Sequence, residues 1–176
     1  PLIFALGRDV TGEPVFANLA KMPHMLIAGA TGSGKSVFLN SIISQLTKVP
    51  NTELHLFDPK IVELAHFKGK PNVENYQRDP MAIHLALEEM VEVMDERYNI
   101  LADKGVRSIS EITGMPRIFV VIDEFGDLIA HNHIHREKKV VGVYQKGQFA
   151  GEDKIEETVL KISEEISKNI LLLSQK

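Results

Sequence analysis

The chain has 176 residues, enough for an ordinary hydrophobic core, and no cysteine, which excludes disulfides, thiol catalysis and thiolate metal sites. Its 24 acidic and 20 basic residues give a formal net charge of -4, so no global positive field marks a nucleic-acid coat, although a few loops of an acidic domain can still touch DNA. No apolar run reaches the roughly 18 residues of a membrane span, and no basic-then-apolar leader opens the chain. Pro1 at one end and Ser174-Gln175-Lys176 directly after an apolar run at the other suggest a piece of a longer protein.

In chain order, "LGRDVTGEPVFANLAKMP" alternates polar and apolar residues around Gly12-Glu13-Pro14, the pattern of a hairpin or edge segment. Residues 1–24 are thus expected to be a lead-in packing on a core of residues 25–176. "HMLIAG" predicts a compact buried strand. Val37, Phe38, Ile42, Ile43 and Leu46 then recur at helical spacing. "TELHLFD" predicts a second strand, which Pro59 stops. From Pro80 to about Ala102, the residues Ile83, Leu87, Met90, Val91, Met94, Tyr98 and Leu101 form one face of a long amphipathic helix that Gly105 ends. "RIFVVID" reads as a strand covered on both faces and closed by a carboxylate. Ile155, Val159, Ile162 and Ile166 predict a last helix, and "NILLLSQ" a last strand. Before that helix, "KVVGVYQKGQFA" suggests a strand pair inside a surface excursion of residues 131–153. Strands alternating with long helices imply an α/β fold with a mostly parallel sheet between helical layers.

Between the first strand and its helix, Gly29, Gly34, Lys35 and Ser36 match G-x-x-x-x-G-K-[ST]. Glycines at this spacing let successive backbone N–H groups face one concavity, and the helix N-terminus adds its own unpaired donors. Gly29, Thr31, Gly32, Ser33, Gly34, Lys35 and Ser36 are the expected phosphate-binding set. Lys35 would reach the β and γ oxygens of ATP, and the Ser36 hydroxyl would ligate Mg2+. Asp123 and Glu124, adjacent carboxylates at the end of a buried apolar strand, would be costly without a task. Asp123 is the second expected metal-holding residue and Glu124 the expected general base for water. Gln175, at the end of the last predicted strand, would hydrogen-bond the γ-phosphate or water; an unremarkable polar terminus is the alternative. The catalytic set is therefore Lys35, Asp123, Glu124 and Gln175.

Several segments together resemble the motor domain of the FtsK/SpoIIIE family of DNA translocases. They are "LGRDVTGEPVFANLAKMPHMLIAGATGSGKS", "DPKIVEL" (Asp58 to Leu64), "MDERYNIL" followed by "GVRSISE", "VVIDEFGDL" and "LLLSQK". The resemblance runs in register over most of the chain. It implies a three-layer RecA-like P-loop core and ATP hydrolysis between subunits of a hexameric homo-oligomeric ring that threads double-stranded DNA. It also implies a cytoplasmic motor segment without membrane contact, in a parent that can be anchored in the cell membrane and serve chromosome partition and cell division. Lys60 and Glu63 fall in a family segment near the subunit boundary, or form a surface salt bridge. Arg97 is either a solvated helix residue or faces a neighbouring subunit. Other readings keep the ATPase but move polypeptide, as related secretion motors do, or make the chain a nucleotide-dependent assembly module.

Two departures stand out. The expected helix before the last strand, "KIEETVLKISEEISKN", has no arginine where the family carries a candidate trans-acting finger, and Lys176 also replaces an arginine. Lysine cannot reproduce the bidentate guanidinium fork. Residues 132–153 also diverge. His131, His133 and His135, at the start of this stretch and just before it, suggest either a metal site or a polar strand, and "HREKK" either a phosphate contact or a solvated face.

Overall fold

The computed structural model describes residues 2–22, 24–130, 134–143 and 153–175. They form two compact units, one of residues 1–78 and 96–124 and the other of residues 79–95 and 125–176.

The first unit opens with an antiparallel pair, β1 (Ile3–Arg8) and β2 (Pro14–Asn18). Asp9 closes its turn: one carboxylate oxygen accepts the Thr11 N–H at 2.8 Å, the Thr11 hydroxyl at 2.7 Å and the Glu13 N–H at 3.0 Å. Leu2 and Phe4 drop into the core, while Gln45 of α1 (Lys35–Leu46) bonds both backbone groups of Ala5. Helix α1 buries Leu39, Ile42, Ile43 and Leu46, the stripe that its period predicts.

The sheet of this unit has three parallel strands in the order β4-β3-β5, where β3 is Thr52–Phe57, β4 Val73–Gln77 and β5 Arg117–Ile122. β3 is central and nearly all buried, with Leu54, Leu56 and Phe57 at 0 % exposure. Such a strand reads as a continuous apolar run because both faces are covered. β5 is only half-buried along its length, less than its apolar sequence predicts. The sheet pairs β5 on one edge only, among the described residues.

Helix α2 (Pro80–Lys104) matches the predicted long helix. Asp79 caps it by accepting the Ala82 N–H at 3.0 Å, with Pro80 at the first helical position, where no N–H is needed. Gly105, at φ 64°, ends it: the N–H groups of Gly105 and Val106 bond the carbonyls of Ala102 and Leu101, a Schellman closure.

The second unit adds α3 (Phe125–Ala130), the antiparallel strands β6 (Ile134–Val143) and β7 (Asp153–Lys161), and α4 (Ile162–Gln175). The register sets Lys138 opposite Glu157 and Lys139 opposite Glu156.

Three expectations are corrected. Residues 24–30, "HMLIAG" and one residue beyond, join no sheet among the described residues, and Leu26 is 85 % exposed. An apolar run becomes a strand only where a neighbour supplies ladder partners. The predicted last helix is split: residues 153–161, alternating and rich in β-branched side chains, pair as β7. The predicted last strand, "NILLLSQ", is the second half of α4, where Ile162, Ile166 and Asn169 are buried at helical spacing. A short apolar run alone does not distinguish the two states. A strand pair does form in this region, but from Ile134–Val143 and Asp153–Lys161 and not within residues 139–150 as expected; residues 144–150 of that segment lie outside the described residues.

Candidate functional site

The loop before α1 is built for exposed backbone donors. Gly32 and Gly34 take φ of 80° and 90°, a region that residues with a Cβ rarely adopt, and a Cβ on Gly29 would run into the Ser33 hydroxyl. The Ser33 N–H bonds the Ala30 carbonyl at 3.0 Å, folding the loop back on itself. Gly34 is the helix N-cap and offers no side chain, and the first turn of α1 holds no acidic residue. The partial positive charge of this helix end therefore stays available to an anion.

Opposite the loop stand the carboxylates after β5. Lys35 Nζ lies 3.2 Å from Asp123 Oδ1 and 2.7 Å from Glu124 Oε1. Asp123 is 3 % exposed, and the Asp123 N–H bonds the Phe57 carbonyl at 3.0 Å, which fixes it to the end of β3. The hydrogen bond from Lys35 holds the Glu124 carboxyl below the usual carboxylate range, helped by the charges of Lys35 and Lys60. The same bond from Lys35 to Glu124 raises the Lys35 ammonium, against the opposing effect of burial. Three of the predicted catalytic residues thus meet at one point although 88 positions separate Lys35 from Asp123.

The residues fit a nucleotide with Mg2+. Asp123 Oδ2 is buried and has no hydrogen-bond partner, the condition of a carboxylate oxygen set for a cation or its water shell. Ser36, in the first turn of α1, is half-buried beside Lys35 in sequence, and Thr31 and Ser33 are exposed in the loop.

Sequence reasoning left the role of Lys60 open. Its Nζ lies 3.5 Å from Glu124 Oε2, so Glu124 is held by two lysines, one at each oxygen. The only signal for this is topological, because β3 and β5 are parallel neighbours with Phe57 opposite Ile122, which brings the loops after them together. Both loops are strained at these points: Ile61 has φ 63° and Glu124 φ 51°. A left-handed conformation costs a side-chain-bearing residue about 1–3 kcal/mol and persists only where its surroundings hold it.

The remaining candidates fall elsewhere. Gln175 closes helix α4 of the second unit, so the strand-end geometry expected for it is absent. Arg97 donates from Nη1 to the Pro116 carbonyl at 2.7 Å and braces the entry to β5. Glu63 is half-buried in the loop after β3. His131 and His133 lie outside the described residues, and His135, Arg136, Lys138 and Lys139 are exposed on β6. Among the described residues no cluster of three or more His, Asp or Glu could hold a metal ion, and no helix is long and apolar enough to cross a membrane.

Comparison with known proteins agrees with this geometry. The FtsK/SpoIIIE family model matches residues 1–155. The DNA translocase SftA of Bacillus subtilis is 42 % identical over 167 residues, covering 86 % of this chain and 17 % of that protein. The DNA translocase FtsK of Bacillus cereus is 37 % identical over 169 residues, covering 85 % and 21 %, and that of Mycobacterium tuberculosis 34 % identical over 174 residues, covering 86 % and 21 %. The chain therefore spans about a fifth of the length of these relatives. In fold it is similar to the pCW3 conjugation coupling protein TcpA, solved as a monomer with ATPγS, at a TM-score of 0.69 and 24 % identity over 98 % of this chain and 43 % of that one. The expected α/β P-loop core on a parallel sheet is the fold observed. With the family model matched from the first strand through the carboxylates and beyond, the chain belongs to the FtsK/SpoIIIE family.

Proposed function

We propose that this chain is the ATP-hydrolysing motor segment of a double-stranded DNA translocase. The observation that carries the proposal is the meeting of Lys35 with Asp123 and Glu124 at the glycine loop, in a chain of this family. The loop from Gly29 to Ser36 would bind the phosphates through the Gly32 and Gly34 N–H groups, with Thr31 and Ser33 at its edge. Lys35 would leave Glu124 for the β and γ oxygens. Glu124, ionised and exposed on one side, would orient a water for in-line attack and accept its proton. Mg2+, held by the Ser36 hydroxyl and Asp123, would neutralise phosphate charge as it develops. The relatives that bear the name DNA translocase support DNA as the track; that the DNA is duplex and the working form a homo-oligomeric, hexameric ring is what the family resemblance implies.

One observation favours a second reading, an assembly module with little turnover: residues 153–175 contain no arginine to serve a neighbour's γ-phosphate. Such a finger contributes about 10³–10⁵ in rate in related phosphoryl-transfer enzymes.

The test is ATP hydrolysis at high protein concentration with and without long duplex DNA. DNA-stimulated turnover that vanishes in Lys35→Ala supports the translocase. ATP binding without turnover, even with a partner subunit carrying the family's arginines, supports the assembly module instead.

A further inference from the structure

Lys60 sits in a tightly anchored loop of the first unit. Asp58, wholly buried, accepts the Ile61 N–H at 2.8 Å and the Leu64 N–H at 3.0 Å through its two carboxylate oxygens. The Asp58 N–H bonds the Gln77 carbonyl at 2.9 Å, and Leu64 is fully buried, so both ends of the segment are fixed. Within it Ile61 is forced to φ 63°, where a β-branched residue is an outlier. The turn delivers Lys60 Nζ to Glu124 Oε2, the oxygen that Lys35 does not hold. Lys60 is 49 % exposed and Glu124 38 %, and an ion pair at that exposure adds little to stability. The ion pair therefore adds little to folding, and what the strained, anchored turn does for Lys60 is to aim it.

We propose that Lys60 is a positioning residue for Glu124: it keeps the carboxylate in register when Lys35 turns from Glu124 to a phosphate. This rests on the reading of Glu124 as the base that orients water. In the proposed function the Lys35 ammonium, which here contacts Asp123 and Glu124, turns to the β and γ oxygens and gives up its contact with Glu124. Once it leaves, Glu124, at φ 51° in an exposed loop, keeps one cation, and that cation comes from the rigid neighbour loop. Lys60 donates no proton and touches no reacting atom in this role.

The experiment compares Lys60→Ala, Lys60→Arg, Glu124→Gln and the Lys60→Ala/Glu124→Gln double variant by ATP turnover at saturating Mg-ATP and by affinity for a fluorescent ATP analogue. Lys60→Ala is expected to lower kcat about tenfold with KM raised no more than about fivefold, and Lys60→Arg to restore most of it. In binding, Lys60→Ala is expected to weaken affinity about threefold to fivefold, the scale of an exposed ion pair, and to do so only while Glu124 keeps its charge. Wild-type kcat and affinity in Lys60→Ala beside an inactive Glu124→Gln would overturn the proposal and leave the proposed function intact. Equal weakening of binding in both Glu124 backgrounds would overturn it too, by showing that Lys60 meets the nucleotide itself. Full turnover in Glu124→Gln would instead remove the base on which both readings rest. If the chain binds without measurable turnover, the affinity cycle alone decides.

Discussion

Glu124 carries a conflict that only function explains: a charged residue in a left-handed backbone conformation, shared between Lys35 and Lys60. Its neighbour Asp123 keeps one carboxylate oxygen buried and unbonded. Both features were half legible. Acid residues closing an apolar strand and a lysine after a glycine loop are sequence patterns, but Lys60 enters only once two loops are known to be adjacent. At the same scale, Asp9 closes the first hairpin turn with three accepted bonds. The bond from the Thr11 hydroxyl is the largest cause holding its carboxyl below the usual value, with backbone N–H bonds adding to it. Since the folded value lies below the unfolded one, its contribution is full above the unfolded pKa and fades as pH falls through the folded value. The melting-temperature gap between the wild type and Asp9→Ala should therefore be open near neutral pH and close in acid. A gap that stays constant with pH would show that the turn owes nothing to the charge.

Among the elements, those with long periods or strong punctuation were readable: α1 from its apolar stripe, α2 from Pro80 to Gly105, and β3 and β5 from their apolar runs. β4 was not, because "VENYQ" has only partial alternation and owes its existence to pairing with β3. "HMLIAG" and "NILLLSQ" failed for one physical reason. A short apolar run states only that it wants burial, and ladder partners or helical neighbours decide its form. At α4 the decision is visible: Lys161, just before the helix, pairs with Glu164 at 2.8 Å, Lys168 pairs with Glu165 at 3.4 Å, and Ile162 and Ile166 share the buried face. The central strand β3 aligns the loops carrying Lys60 and Asp123, so its packing bears on the site. Leu54→Ala, at a fully buried position, is expected to destabilise the fold by about 2–5 kcal/mol. Chemical denaturation followed by circular dichroism measures it, and a loss under about 1 kcal/mol would mean that the core around β3 collapses to fill the space.

At the scale of the whole molecule, an acidic chain with no excess of basic residues belongs to the FtsK/SpoIIIE family and is similar to proteins named DNA translocases. The two are compatible because a motor needs local contact and a nucleotide site, not a global positive field. The first unit holds the glycine loop and both carboxylates, from Gly29 to Glu124, on one three-stranded sheet and one helix. The central claim is that Glu124, held between two lysines, is the group that makes ATP binding productive. Its most direct test is ATP binding and hydrolysis by Glu124→Gln measured beside the wild type under the same conditions. Binding retained or tightened, because Lys35 is released to the phosphates, with turnover lost, is the predicted result. Hydrolysis at the wild-type rate would contradict it.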